Sequence, residues 1–112
     1  MTILRLSILV TTLAFVTACA KQPENIAAVP MDTASYAGKS CRALATDEAK
    51  ITAELNALSA AQKSTASSDA LGVFLLGLPL GSMSGNDKEA LIAVAKGRVD
   101  AINRVQASKG CS

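Results

Sequence analysis

The chain has no histidine and no tryptophan, and two phenylalanines and one tyrosine are all its aromatic residues. Each absence removes a class of function. Imidazole is the common general base and metal ligand at neutral pH, so without it catalysis and metal binding fall to carboxylates and thiols. The carboxylates do not gather. Asp47-Glu48 and Asp87-Glu89 read as solvated helix starts, and no serine elbow, Gly-rich phosphate loop or paired carboxylate stands in a recognisable context. No catalytic residue, metal site or dissociable cofactor is expected. Few rings and a formal charge of only +2 supply neither the stacking platform nor the basic stripe of a nucleic-acid binder.

A long apolar run is also missing. Leu6 to Val16 carries no charge, but at ~1.5 Å per residue it crosses only about half of a ~30 Å hydrocarbon core, too short for a stable membrane helix. Arg5 precedes this run and small residues follow it, the order of a secretory signal. Val16-Thr17-Ala18-Cys19 resembles the lipobox of bacterial lipoproteins, a branched apolar residue, two small ones and a cysteine. The resemblance implies a signal peptide over residues 1–18, cleavage between Ala18 and Cys19, a diacylglycerol thioether on Cys19 and a fatty acid such as palmitate on the new amino terminus. Cys19 is then a membrane anchor and the covalent lipid its only attached group. The other reading is ordinary cleavage after Ala18 or Ala20, which leaves Cys19 as a thiol or in a disulfide. Ala20 follows Cys19 where enteric lipoproteins held at the inner membrane carry aspartate. The expected location is therefore the cell envelope, lipid-anchored at the outer membrane and facing the periplasm.

With Cys19 taken by lipid, Cys41 and Cys111 remain as an even pair in a compartment that permits disulfides. A bridge closing so long a loop contributes roughly 4 kcal/mol in the chain-entropy model. Two buried thiols are the alternative. Removing Arg5 from the eleven cations leaves ten against nine carboxylates, so the mature chain is nearly neutral.

From Ala20 to about Gly38, "AKQPENIAAVPMDTASYAG" carries Pro23, Pro30 and Gly38 and no period. Residues 19–38 are expected to be a lipidated flexible linker, with a root-mean-square reach of roughly 25 Å. Residues 39–112 make one small domain. In it Leu44, Glu48, Ile51, Leu55, Leu58 and Gln62 recur at spacings of four and three, a narrow helical seam. Ala45, Ala49, Ala53, Ala57 and Ala61 fall on the opposite side, where they add helix propensity. Ser40 or Ser35 caps the start. In the second helix Asn86 with Glu89 fits a capping box, and Lys109-Gly110 suits the end. Leu91, Val94, Ala95, Val99, Ile102 and Val105 share its apolar face, with Lys96, Asp100 and Arg104 on the other side. Gly97 marks either a close approach or a tolerated cost of about 1 kcal/mol. A Cys41–Cys111 bridge sets Glu54 opposite Arg98 and Glu48 opposite Arg104, so Arg98 either reaches Glu54 or extends into water. The expected fold is all-α: an antiparallel two-helix hairpin with coiled-coil-like packing, stapled by one disulfide, with room for a short third helix at the tip.

That tip, at about 69–85, lies within "ASSDALGVFLLGLPLGSMSGN", and from Ala70 to Met83 it holds no charge. Asp69 either opens a short helix or continues the first one to the residue before Pro79. Three readings compete. Leu71, Val73, Leu75, Leu76, Leu78 and Leu80 fold over the hairpin end as a satellite core, or Phe74, Leu75, Leu76, Leu78 and Leu80 stay exposed for a membrane or a protein partner, or the tips of several copies associate through Gly72 and Gly77. On the second reading, lipid at one end and an apolar surface at the other, ~40 Å apart by helix rise, could connect a membrane to something else. The run of Ser40-Cys41, Glu54, Leu58, Gln62, Asp69, Gly72, Pro79, Gly85, Glu89, Lys96-Gly97 and a final cysteine resembles small uncharacterised lipoproteins of proteobacteria, a likeness that implies a lipidated helical hairpin and no activity. The expected function is a non-enzymatic envelope lipoprotein acting as a structural or adaptor element through its tip. Its rival is a small membrane-active lipoprotein of the lysis or toxin-release type.

Overall fold

Ser40 begins the main helix of the protein. Its backbone is extended, and its Oγ accepts the amide hydrogen of Ala43 at 3.1 Å, which satisfies one of the donors a helix start leaves open. The computed structural model describes residues 19–78 and 80–111, Leu80 by its backbone alone. The expected signal peptide 1–18, with Ala18 at the cleavage bond, lies outside the described residues, as do Pro79 and the Leu80 side chain. A 3-10 turn at Pro23–Asn25 is followed by α1 (Ala34–Ala37), α2 (Cys41–Leu76), α3 (Leu80–Met83) and α4 (Glu89–Lys109). Among the described residues there is no strand, so the chain is all-helical around one long pair, α2 and α4.

The two long helices are joined at one end by a disulfide between Cys41 and Cys111, whose Cα atoms lie 5.5 Å apart across 70 residues of sequence. Along the pair, Glu48 accepts from Gln106 Nε2 at 2.9 Å, Gln62 Oε1 accepts the Lys88 amide at 2.7 Å, and Thr65 donates to the Asn86 carbonyl at 3.0 Å. Leu44 and Ile51 pack with Ala95, Ile102 and Val105. Each such aliphatic chain contributes about 1.5–3 kcal/mol when fully removed from water. Ala45, Ala49, Ala53, Ala57 and Ala61 are all exposed, as a helix-forming back face should be.

Helix α2 continues through Asp69 to Leu76 as one helix. At ~1.5 Å per residue its 36 residues extend about 54 Å, against about 32 Å for the 21 of α4, so α4 covers little more than half of it. It ends at Gly77, whose left-handed backbone (φ 73°) lets the amides of Gly77 and Leu78 reach back to Val73 and Gly72. Glu89 starts α4 without the Asn86 capping box. The Asp87 carboxylate accepts the Glu89 amide at 2.9 Å instead, while Gln62 on the neighbouring helix takes the Lys88 amide.

The segment from Ala20 to Met31, read as a free tether, is a strap docked along α4. Ile26 is buried against Ile92 and Ala93. The Val29 amide donates to the Ala93 carbonyl at 3.0 Å. Lys96 Nζ donates to the carbonyls of Pro23 and Ile26 at 2.6 and 2.7 Å, and Arg104 reaches the Met31 carbonyl at 3.3 Å. A Cβ on Gly97 would overlap the Val29 carbonyl and stand 2.7 Å from Met31 Cγ, so this glycine exists for a close approach. The face of α4 carrying Lys96 and Arg104 thus holds the strap, and Ala93, Gly97 and Ala101 are buried while Leu91 stays exposed. Arg98 is exposed and makes no ion pair with Glu54. The strap takes up the second side of α4, so the pair has no reason to turn Arg98 inward.

Candidate functional site: the α2 tip and its polar clasp

The α2 seam keeps its period beyond Leu58 but changes chemistry. Gln62, Thr65, Asp69 and Gly72 continue the four-and-three spacing, and all four are buried. Each polar side chain in this stretch is satisfied. Gln62 Nε2 donates to the Lys21 carbonyl (2.9 Å) and to Asp87 (3.0 Å), and Thr65 Oγ1 donates to the Ala61 and Asn86 carbonyls. Buried polar groups cost several kcal/mol unless paired, and the partners outside α2 are the Lys21 carbonyl of the strap and, in the segment entering α4, the Asn86 carbonyl, the Asp87 carboxylate and the Lys88 amide. Gln62 and Thr65 therefore fix where those two segments lie.

Asp69 is the strongest member of this clasp. Its carboxylate is fully buried and accepts the Ala20 amide at 2.7 Å, the Ser82 amide at 2.7 Å and the Ser82 hydroxyl. Burial pushes the Asp69 carboxyl up, but the hydrogen bonds from the Ser82 hydroxyl and from the amides of Ser82, Ala20 and Gly81 outweigh it and hold the group below the ordinary aspartate value. Gly81 is needed for this packing, since a Cβ there would come 2.7 Å from the Thr65 carbonyl and 3.1 Å from Asp69 Oδ1. Beside the clasp, Lys21 pairs with Glu89 at 2.8 Å, and the hydrogen bond to Glu89 and its charge raise the lysine above its ordinary value.

With the seam filled by polar groups, the apolar residues of the tip have nothing to cover them. Phe74 is 85% exposed, Leu76 66%, Leu75 65%, Met83 65%, Leu71 59% and Leu78 45%. The satellite-core reading of Leu71, Val73, Leu75, Leu76 and Leu78 is therefore corrected: the inner positions it needed are held by Gln62, Thr65 and Asp69. Leu71, Leu75 and Leu76 with Gly72 and Gly81 rim a groove of about 340 Å³ on the same tip. Residues 69–78 continue α2 to Leu76 rather than forming a separate helix.

Cys41 and Cys111 are bonded to each other, and Cys19 is a free, exposed thiol in this chain. The Ala20–Asp69 bond places Cys19 beside the tip. Asp69 stands about 10 Å before the end of α2 by helix rise and about 42 Å from Cys41. Cys19 and the apolar surface are thus at one end of the molecule, which corrects the expectation of one at each end. Sequence reasoning missed Gln62, Thr65 and Asp69 as a unit, although the unbroken spacing through residue 72 carried the signal. Among the described residues no group of acidic or cysteine side chains could hold a metal ion, and no helix is long and apolar enough to cross a membrane. Compared with known proteins, the chain matches no family model, no curated protein and no solved structure.

Proposed function

We propose that this chain is a non-enzymatic lipoprotein of the cell envelope, an antiparallel helical hairpin held at the outer membrane by diacylglycerol on Cys19 and serving as a structural or adaptor element through its apolar tip. The observation that carries this reading is the division among the cysteines. The two late thiols are consumed by each other, and the one that completes the lipobox-like Val16-Thr17-Ala18-Cys19 is unpaired and exposed. A thioether there needs no rearrangement of the fold. The lack of histidine, and of any recognisable reactive constellation in the sequence, supports a role without catalysis.

Intact mass of the protein extracted from its host membrane tests the anchor. The expected species begins at Cys19 and carries two or three acyl chains, and Cys19→Ser abolishes their incorporation along with detergent-phase partition. A chain that begins elsewhere or carries no lipid ends the proposal. The exposed tip also supports the membrane-active reading, and leakage of dye-filled vesicles on addition of the purified protein separates the two: an anchored element leaves the vesicles sealed.

A further inference from the structure

We infer that the α2 tip is a second membrane contact, entering the same leaflet as the lipid on Cys19, so that the helix pair stands off the bilayer with its Cys41–Cys111 end outermost. This rests on the lipoprotein reading above and names the occupant of the tip as lipid. Two independent features of the molecule lead to it.

The first is the shape of the apolar surface. At 100° per residue Leu71, Val73, Phe74, Leu75 and Leu76 spread around the helix and all five are exposed, the narrow sector of Gly72 between Leu75 and Leu76 being the buried one. A protein partner lying on a helix reads one stripe of it, spaced at three and four. A helix end that is apolar on every side matches a medium that is apolar on every side. No charged residue occurs from Ala70 to Asn86, and Asp69 apart, the first charges met below the peg are Lys63, Asp87 and Lys88. The peg from residue 70 to 76 is about 10 Å long, inside the ~15 Å depth of one hydrocarbon leaflet, and Lys63 and Lys88 would then lie toward the head groups. The tip enters and does not cross.

The second is where the chain places Cys19. The Ala20 amide is held on buried Asp69, and from there the strap leads away from the tip, through Lys21 at Gln62 and Val29 at Ala93 to Met31 at Arg104. An acyl chain on Cys19 therefore starts level with the base of the peg. Two or three acyl chains already hold the protein at the membrane; the peg adds a second contact that fixes orientation, which lipid on a free tether would not.

Because the chain lacks tryptophan, Phe74→Trp gives a single reporter at the tip, and Tyr36→Trp, in a separate variant, gives one near the other end. The lipidated full-length product of each is reconstituted into vesicles of phosphatidylethanolamine and phosphatidylglycerol with brominated acyl chains. Bromolipid should quench the tip indole to less than about half its intensity and leave the distal indole unchanged, and adding Leu76→Asp should restore emission from the tip while acylation persists. Acylated protein whose tip indole is not quenched, or whose distal indole is quenched equally, overturns the inference while the lipoprotein reading stands. A concentration-dependent blue shift of the Phe74→Trp variant in detergent-free buffer that bromolipid does not quench assigns the tip to a second copy and overturns it as well. If mass shows no acyl chains, the lipoprotein reading fails and the shared-leaflet arrangement fails with it. Quenching of the tip indole in a chain that also carries Cys19→Ser then reports the tip alone.

Discussion

The two ends of the helix pair use opposite arrangements of the same kinds of residue. At the disulfide end, Leu44, Ile51, Ile102 and Val105 fill the seam and charged groups such as Lys50 and Asp100 lie outside it. At the tip the order is inverted, with Gln62, Thr65 and Asp69 inside and Phe74, Leu75 and Leu76 in contact with solvent. The first end is held by burial and a covalent bond. The second is held by directed hydrogen bonds, which position the strap and the α3 turn without consuming any of the large apolar side chains. A short chain with a thin core can leave leucines outside only if something else closes the end.

The largest effect should come from breaking the covalent end. Replacing Cys41 and Cys111 by serine removes a bridge spanning 70 residues and should lower stability by about 4 kcal/mol, read as the urea midpoint. The clasp comes next. Asp69→Ala leaves the donors of Ala20 and Ser82 without their acceptor and should cost about 3 kcal/mol, with fast hydrogen exchange at both amides. Retained protection of Ala20 in that variant would show that the strap is held without the clasp.

Acid should act on the same end. The folded Asp69 carboxyl titrates below its unfolded value, so between the two the unfolded chain binds the extra proton and stability rises with pH. The contribution is complete above about pH 4 and is lost as pH falls through the folded value. Asp69→Asn should remove that part of the pH dependence, seen as a flatter plot of unfolding midpoint against pH below about 4.

Gly97→Ala tests the strap from the other helix. The methyl group has no room under Val29, and the expected loss of about 1–3 kcal/mol should appear with faster exchange at the Val29 amide and little change at Leu44. The smallest effect belongs to the tip. Leu76→Asp should change stability by no more than about 0.5 kcal/mol, because the side chain is already in water. A cost of several kcal/mol would mean that the apolar tip is a core after all.

Much of the helix pair could be read from periodicity. The four-and-three spacing from Leu44 to Gln62, the alanine back face and the Gly110 terminus all rest on local geometry that a sequence displays directly, whereas the structure chooses Ser40 over Ser35 as the cap. The clasp was hidden because the seam, legible as far as Gln62, continues in Thr65 and Asp69, whose partners in the strap, the α3 turn and the segment entering α4 lie far along the chain. The strap was hidden for a different reason. Its carbonyls are satisfied by Lys96 and Arg104, about 70 residues away, and long side chains on a face read as solvated give no sign that a backbone lies beneath them. Without the strap, Cys19 is left free to drift from the fold, and that residue and the tip fall at opposite ends.

The position of Cys19 is therefore the point to measure. A nitroxide attached to its free thiol in unlipidated protein beginning at that residue, with the Cys41–Cys111 bond intact, reports its surroundings through broadening of backbone amide signals. Strong broadening at Gly72 to Met83, with residues near Cys41 and Cys111 left sharp, is the predicted pattern. Weak, uniform broadening, or broadening concentrated at the disulfide end, would contradict the account.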